Sequence, residues 1–143
     1  MHAVQTEGLA TREAGLEPDR AVDAILQFFG RRVAELEAAG VARDRLILDP
    51  GMGFFVGSDP ENSLTLLRRL PELKARFGLP LLVSVSRKSF LRKLTGRPPG
   101  EAGAASLAAE LFAEAHGAAY IRTHAPGALR AGIKVLKTLG NDR

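Results

Sequence analysis

The feature that most constrains this chain is a repeated alternation of a short apolar run with a helix-patterned segment. Arg45-Leu46-Ile47-Leu48-Asp49 and Pro80-Leu81-Leu82-Val83-Ser84-Val85 are too short for helices and too apolar for a sheet with one face in water. Ala119-Tyr120-Ile121-Arg122-Thr123-His124 is a third such run, and Met1-His2-Ala3-Val4 reads as the remnant of another. Val22, Ile25, Leu26, Phe29, Val33 and Leu36 recur at helical spacing, with Pro18 and Asp19 suited to the first turn and Gly40 to the stop. Leu64, Leu67, Leu70, Leu73 and Phe77 predict a second helical region opened by Ser58-Asp59-Pro60-Glu61, which Pro71 kinks or divides into two short helices. Further helices are predicted through Phe90, Leu91 and Leu94, over 100–117 with Leu107, Leu111, Phe112 and Ala115, and over 126–139 with Leu129, Ile133, Leu136 and Leu139. Strand–helix units recurring at intervals of roughly 35 to 45 residues imply parallel strands joined by right-handed crossovers. The expectation is one α/β domain over 1–143, with no linker composition to divide it.

Composition removes several classes. Twenty Lys and Arg against 16 Asp and Glu give a net charge of +4, which favours anionic partners. No Trp, one Tyr and acids interleaved with the bases describe a solvated surface, not a nucleic-acid footprint. Without cysteine there is no disulfide, thiolate metal site or thiol nucleophile. No apolar run reaches the ~18 residues of a membrane span, and Met1-His2-Ala3-Val4-Gln5 lacks a signal-peptide pattern, so no membrane partner and a cytoplasmic location are expected.

In parallel α/β architectures, binding groups collect at the C-terminal ends of the strands. The polar residues that look misplaced in this sequence fall there: His2 after the first run, Asp49 after the second, Ser86-Arg87-Lys88-Ser89 after the third, Arg122-Thr123-His124 at the end of the fourth. Singly, each has an ordinary structural reading, Asp49 as a turn cap, Lys88 as surface, His124 as a satisfied buried histidine. Together they supply an acceptor for adjacent N–H donors of a heterocycle (Asp49) and cations for oxyanions (Lys88, Arg122, His124). Ser86 and Ser89 stand in sequence beside cations and not beside a base, which argues against a hydrolase triad. Three histidines without metal-site spacing argue against a metal centre. Ser89, at a helix start, can act as an N-cap or as part of an anion site.

Leu48-Asp49-Pro50-Gly51-Met52-Gly53-Phe54, Ser86-Arg87-Lys88-Ser89-Phe90 and Arg122-Thr123-His124, in this order, resemble the signature segments of the dihydropteroate synthase family. Met1-His2 resembles the end of that family's fifth barrel strand, and the likeness runs to about Leu139. The Ser-Arg-Lys-Ser segment separates it from related pterin-binding methyltransferase domains. The resemblance implies a TIM-type (β/α)8 barrel of which about four βα units, strands five to eight, are present as a half barrel. It implies folate biosynthesis: a transferase that condenses 6-hydroxymethyl-7,8-dihydropterin pyrophosphate with p-aminobenzoate to 7,8-dihydropteroate, with Mg2+ assisting. Asp49 would bind the pyrimidine edge of the pterin, Lys88 its carbonyl side, and Met1 would line the pocket floor. Arg122 and His124 would hold the pyrophosphate, with Lys88 sharing the catalytic role. Phe54, Ser86 and Ser89 would border the p-aminobenzoate site.

A barrel of this type needs about 250 residues, and the resemblance starts at its second half, so the metal-linked Asn and two mobile loops of the family have no counterpart to assign. Ala3-Val4-Gln5-Thr6-Glu7-Gly8 is a less typical version of the family's Gln-Gly loop. Four parallel strands with helices on one face would leave an apolar face and two unpaired edges, from which self-association, most simply a dimer, is expected. The alternative reading is a non-catalytic half barrel that binds pterin or only self-associates.

Overall fold

The computed structural model describes residues 1–2, 17–52 and 59–140. Helix α1 (Pro18–Ala38) carries proline in its first turn and Asp19 beside its N-terminal dipole, and buries Val22, Ile25, Leu26, Phe29 and Val33 along one stripe. Gly40 ends it. At φ 85° it adopts a left-handed conformation, its N–H donates to the Glu37 carbonyl, and the Val41 N–H donates to the Leu36 carbonyl. That bond pair satisfies two orphan carbonyls of the last turn.

The second helical region is two helices, α2 (Pro60–Arg68) and α3 (Leu70–Phe77), as Pro71 requires. The Asp59 carboxylate caps α2 by accepting from the Glu61 N–H at 2.9 Å. Arg69, at the joint between them, reaches back to α1 and donates to Asp23 and Glu72, at 2.9 and 2.7 Å. This pairing holds the Glu72 carboxyl below its ordinary value and Arg69 above its own, the shared hydrogen bond being the main cause for both.

Strand β1 (Leu82–Val83) pairs in parallel with β2 (Tyr120–Ile121), Leu82 against Tyr120 and Val83 against Ile121. Two further parallel bridges, Leu48 to Leu81 and His2 to Asp49, place four segments side by side in chain order. The strands are shorter than the apolar runs that announced them. Arg45, expected in the second strand, belongs to a 3-10 turn, Arg43–Arg45, and of the first run Met1 and His2 pair with the neighbouring segment, Ala3 and Val4 lying outside the described residues.

Between β1 and β2 lie α4 (Ser89–Thr95) and α5 (Gly103–Ala115); α6 (Pro126–Gly140) follows β2. Leu81, Val83 and Val85 are fully buried with Leu48, and with Phe29, Leu66, Leu70 and Leu73 they form one core. Tyr120, in register with Leu82, is 50% exposed. The α5 stripe differs from its apolar pattern. Its buried residues are Ser106, Glu110 and Ala113, whereas Leu107 and Leu111 are half-buried and Phe112 is exposed. On α6 only Leu129 is buried; Leu136 and Leu139 lie exposed, because no described element packs over that face. No helix among the described residues is long and apolar enough to cross a membrane.

Candidate substrate site at the strand ends

The β1–β2 register generates the site. Leu82 faces Tyr120 and Val83 faces Ile121, an offset of 38 residues, and the same offset continues past the last ladder pair. Ser84 Oγ accepts from Arg122 Nε at 3.1 Å. Ser86 Oγ accepts from the His124 backbone N–H at 3.2 Å and meets its ring Nδ1 at 3.0 Å. Serine at alternate positions places both hydroxyls on one side of the extended chain, where each anchors a basic residue of the neighbouring segment.

These residues line a cavity of about 470 Å³ bounded by Ser84, Ser86, Arg87, Lys88, Arg122, Thr123 and His124. Lys88, Arg122 and His124, the three residues expected to carry charge chemistry, therefore share one cavity with Ser86. Cations backed by hydroxyls at the edge of a sheet are chemically able to receive an anion. The serine–histidine contact corrects the sequence argument that no base stands near a serine. Ser86 is nonetheless buried, with its oxygen already engaged by a backbone N–H, so the pair orients the imidazole instead of activating a nucleophile.

Asp49 sits on the adjacent segment at the same rim but outside that cavity's lining. Its Oδ1 accepts from the Gly51 N–H at 3.0 Å, an Asx-type turn, and its Oδ2 lies 3.7 Å from His2 Nε2. One carboxylate oxygen thus sets the turn and the other faces the His2 imidazole. The Asp49 N–H donates to the Met1 carbonyl at 2.7 Å, and Met1 packs half-buried against the core. Ser89 is not the cap of α4: Lys88 occupies that position, and Ser89 is the exposed first helical residue. Phe54 lies outside the described residues.

Three contributors escaped the sequence reading, and a fourth, Arg87, was named there only as part of the Ser86–Ser89 segment. Ser84 is one, although its place two residues before Ser86 on an extended chain was a usable signal. Arg87 adopts φ 56°, rare for a side chain-bearing residue, and its N–H donates to Ser106 Oγ at 2.9 Å. Ser106 in turn donates to the Ala102 carbonyl at 2.6 Å. Glu110, one turn further along α5, is buried at 2% exposure. Nothing local in the sequence distinguishes Arg87, whereas Ser106 and Glu110, at i and i+4 in an Ala-rich helix, mark a polar stripe.

The resemblance implies Mg2+, which needs a cluster of oxygen donors. Among the described residues no group of three or more His, Asp or Glu could hold a metal ion, and the cavity is lined by cations and hydroxyls. The residues described do not fit a divalent cation.

Comparison with known proteins gives a consistent picture. The family described as pterin binding enzyme matches residues 1–124. The chain is 56% identical over 143 residues to dihydropteroate synthase type-1 of Escherichia coli, covering 100% of this chain and 51% of that protein. It is 58% identical over 139 residues to dihydropteroate synthase type-2 of Escherichia coli, covering 97% and 51% respectively. Among solved structures, it matches dihydropteroate synthase from Stenotrophomonas maltophilia with active site-bound imidazole at a TM-score of 0.88 and 33% identity, covering 100% of this chain and 53% of that one. The Coxiella burnetii dihydropteroate synthase in complex with pteroic acid matches at a TM-score of 0.86 and 30% identity, covering 97% and 50%. The chain spans about half the length of the curated relatives it matches.

Proposed function

Because the chain belongs to the pterin binding enzyme family, we propose that it is the substrate-binding half of a dihydropteroate synthase, built as strands five to eight of a TIM barrel. The observation that carries this reading is the convergence of Lys88, Arg122 and His124 on one cavity at the ends of adjacent parallel strands. Such a cavity suits a pyrophosphate leaving group, and the carboxylate of Asp49 on the same rim suits the paired N–H donors of a pterin's pyrimidine edge.

The reaction would displace pyrophosphate from the dihydropterin's exocyclic methylene. The C–O bond to pyrophosphate breaks with its electron pair leaving on oxygen, the arylamine nitrogen of p-aminobenzoate forms the new C–N bond, and that nitrogen gives up a proton to solvent or to the departing anion. Lys88, Arg122 and His124 would stabilise the charge that accumulates on the leaving oxygen, the main catalytic contribution in such a step. Ser84 and Ser86 hold Arg122 and His124 in place before substrate arrives. Met1 would line the pterin pocket, while Phe54, Ser86 and Ser89 would border p-aminobenzoate. Mg2+ belongs to the family reading alone. A cytoplasmic location is proposed on the same footing.

A second reading is favoured by one observation. Tyr120 on the sheet and, on a separate element, Val135 and Leu139 on α6 are 50%, 57% and 69% exposed, apolar surface of the kind that association covers. Pairing of two copies over 1–143 into a homodimer, with or without catalysis, would cover it.

The test is calorimetric titration of the chain and of Lys88→Ala with a pterin analogue. The wild-type chain should bind and the variant should bind at least tenfold more weakly, the loss of one charge-assisted contact. Equal binding, or none to either, overturns the assignment of the pocket.

A further inference from the structure

A second cavity, about 170 Å³, opens beside the rim between α5 and α6. Ser86, Arg87, Thr123 and His124 line both cavities, so the two are contiguous. The space exists because Gly103 and Ala104 on α5 and Ala125 and Ala128 at the start of α6 present little side chain. On its wall stands Glu110, 2% exposed, whose Oε1 has no hydrogen-bond partner. A buried carboxylate oxygen without a donor is costly, and native structures seldom leave one unanswered.

Candidate donors around this cavity are few. Ser106 is committed to Ala102 and to the Arg87 N–H. His124 has Nδ1 against Ser86, and its Nε2 lies on a ring already anchored to the rim. Thr123 Oγ1 is engaged by the Ala125 N–H at 3.1 Å and offers one donor at most. Arg87 differs from all three. Its side chain is exposed and lines the same cavity, and its backbone is held in a left-handed conformation by Ser106, which sits one turn from Glu110 on the same face of α5. A guanidinium offers five donors in a fork that matches a carboxylate.

We propose that Glu110 is a positioning residue for the basic cluster: its carboxylate takes the Arg87 guanidinium into the α5–α6 cavity and withholds that cation from the rim. The rim then presents Lys88, Arg122 and His124 to an anion, and Arg87 is a reserve cation whose direction Glu110 sets. The strained Arg87 backbone has a purpose in this arrangement, since it fixes the root of a side chain that must choose between two adjoining spaces. The inference deepens the reading of the rim as an anion site, and its two arms fail separately.

The first arm is NMR of the full chain, with the Arg87 Nε–H assigned by its disappearance in Arg87→Lys. In the wild type this N–H should be resolved and protected from exchange by about tenfold relative to the exposed Arg92, as a paired guanidinium is. In Glu110→Gln the protection should vanish, and Glu110→Asp should restore part of it. An unprotected Arg87 Nε–H in the wild type overturns the proposal even if Glu110→Gln fails to fold. So does protection that survives in a folded Glu110→Gln. The second arm is calorimetry with inorganic pyrophosphate. Releasing Arg87 should make Glu110→Gln bind about fivefold more tightly than wild type, and the gain should disappear in Glu110→Gln combined with Arg87→Ala. A gain that persists in the double variant, or none at all, counts against it. Absence of pyrophosphate binding to the wild type would sink the rim reading instead, leaving the Arg87–Glu110 pairing to be decided by the NMR arm.

Discussion

Ser86 Oγ accepts the His124 backbone N–H at 3.2 Å and meets the same residue's ring Nδ1 at 3.0 Å. One hydroxyl thus fixes both the main chain and the imidazole of a residue 38 positions away, leaving ring Nε2 for a ligand.

Removing that hydroxyl should therefore act on binding more than on folding. Ser86→Ala loses both contacts, the one to the imidazole being about 1 to 1.5 kcal/mol, and with the ring released inorganic pyrophosphate should bind about five- to tenfold more weakly. Calorimetry on the variant checks this; undiminished affinity would mean that His124 is oriented by something else.

Asp49→Asn separates the two duties of that side chain. The amide oxygen can still accept from the Gly51 N–H and keep the turn, so thermal stability should change by no more than about 0.5 kcal/mol. The negative charge proposed to face a heterocycle's N–H donors is gone, and a pterin analogue should bind at least about tenfold more weakly. Thermal unfolding and calorimetry on the same sample distinguish the two effects.

Arg69 joins α1 to the α2–α3 joint through Asp23 and Glu72. Its partners are half-exposed, so Arg69→Ala should cost about 1 kcal/mol in urea unfolding near neutral pH, the scale of a partly solvated ion-pair network. The pH dependence has a definite sign. Glu72 has a folded value below its ordinary 4.5, so the stabilisation is complete above that value and is lost as pH falls through the lower folded one. The difference between wild type and variant should accordingly shrink in acid, and a difference that grows there would contradict the pairing.

Gly117 closes α5 at φ 99°, and a Cβ at that position would lie 2.7 Å from Lys74 Cδ. Gly117→Ala combines left-handed strain with displacement of a flexible side chain and should cost about 1 to 2 kcal/mol, visible in chemical unfolding. Because Lys74→Ala removes only the clash, the double variant should recover part of the loss and not all of it.

Much of this was legible in the residues because it depends on local rules. The break at Pro71 follows from a missing N–H and a ring clash, the Asp59 cap from a short acceptor before a proline, and the Gly40 stop from freedom at positive φ. The polar residues ending apolar runs placed Lys88, Arg122 and His124 on one rim, since parallel strands bring their C-terminal ends together. Other features were hidden because partners distant in sequence decide them. The α5 helix turns Ser106 and Glu110 inward and Phe112 outward, against its apolar pattern, because its inner face meets the Arg87 turn and α6 and not the core alone.

By itself, then, the order of amino acids determined the alternation of strand and helix, the break at Pro71 and the stop at Gly40, and which chemical groups stand at the strand ends, all consequences of interactions within a few residues. Only the tertiary structure decided that Ser84 holds Arg122, that Ser86 holds His124, and that Glu110 shares a cavity wall with Arg87. Those facts follow from the register of two strands and the rotation of one helix, and register is chosen by the summed packing of the whole core, which no short segment encodes.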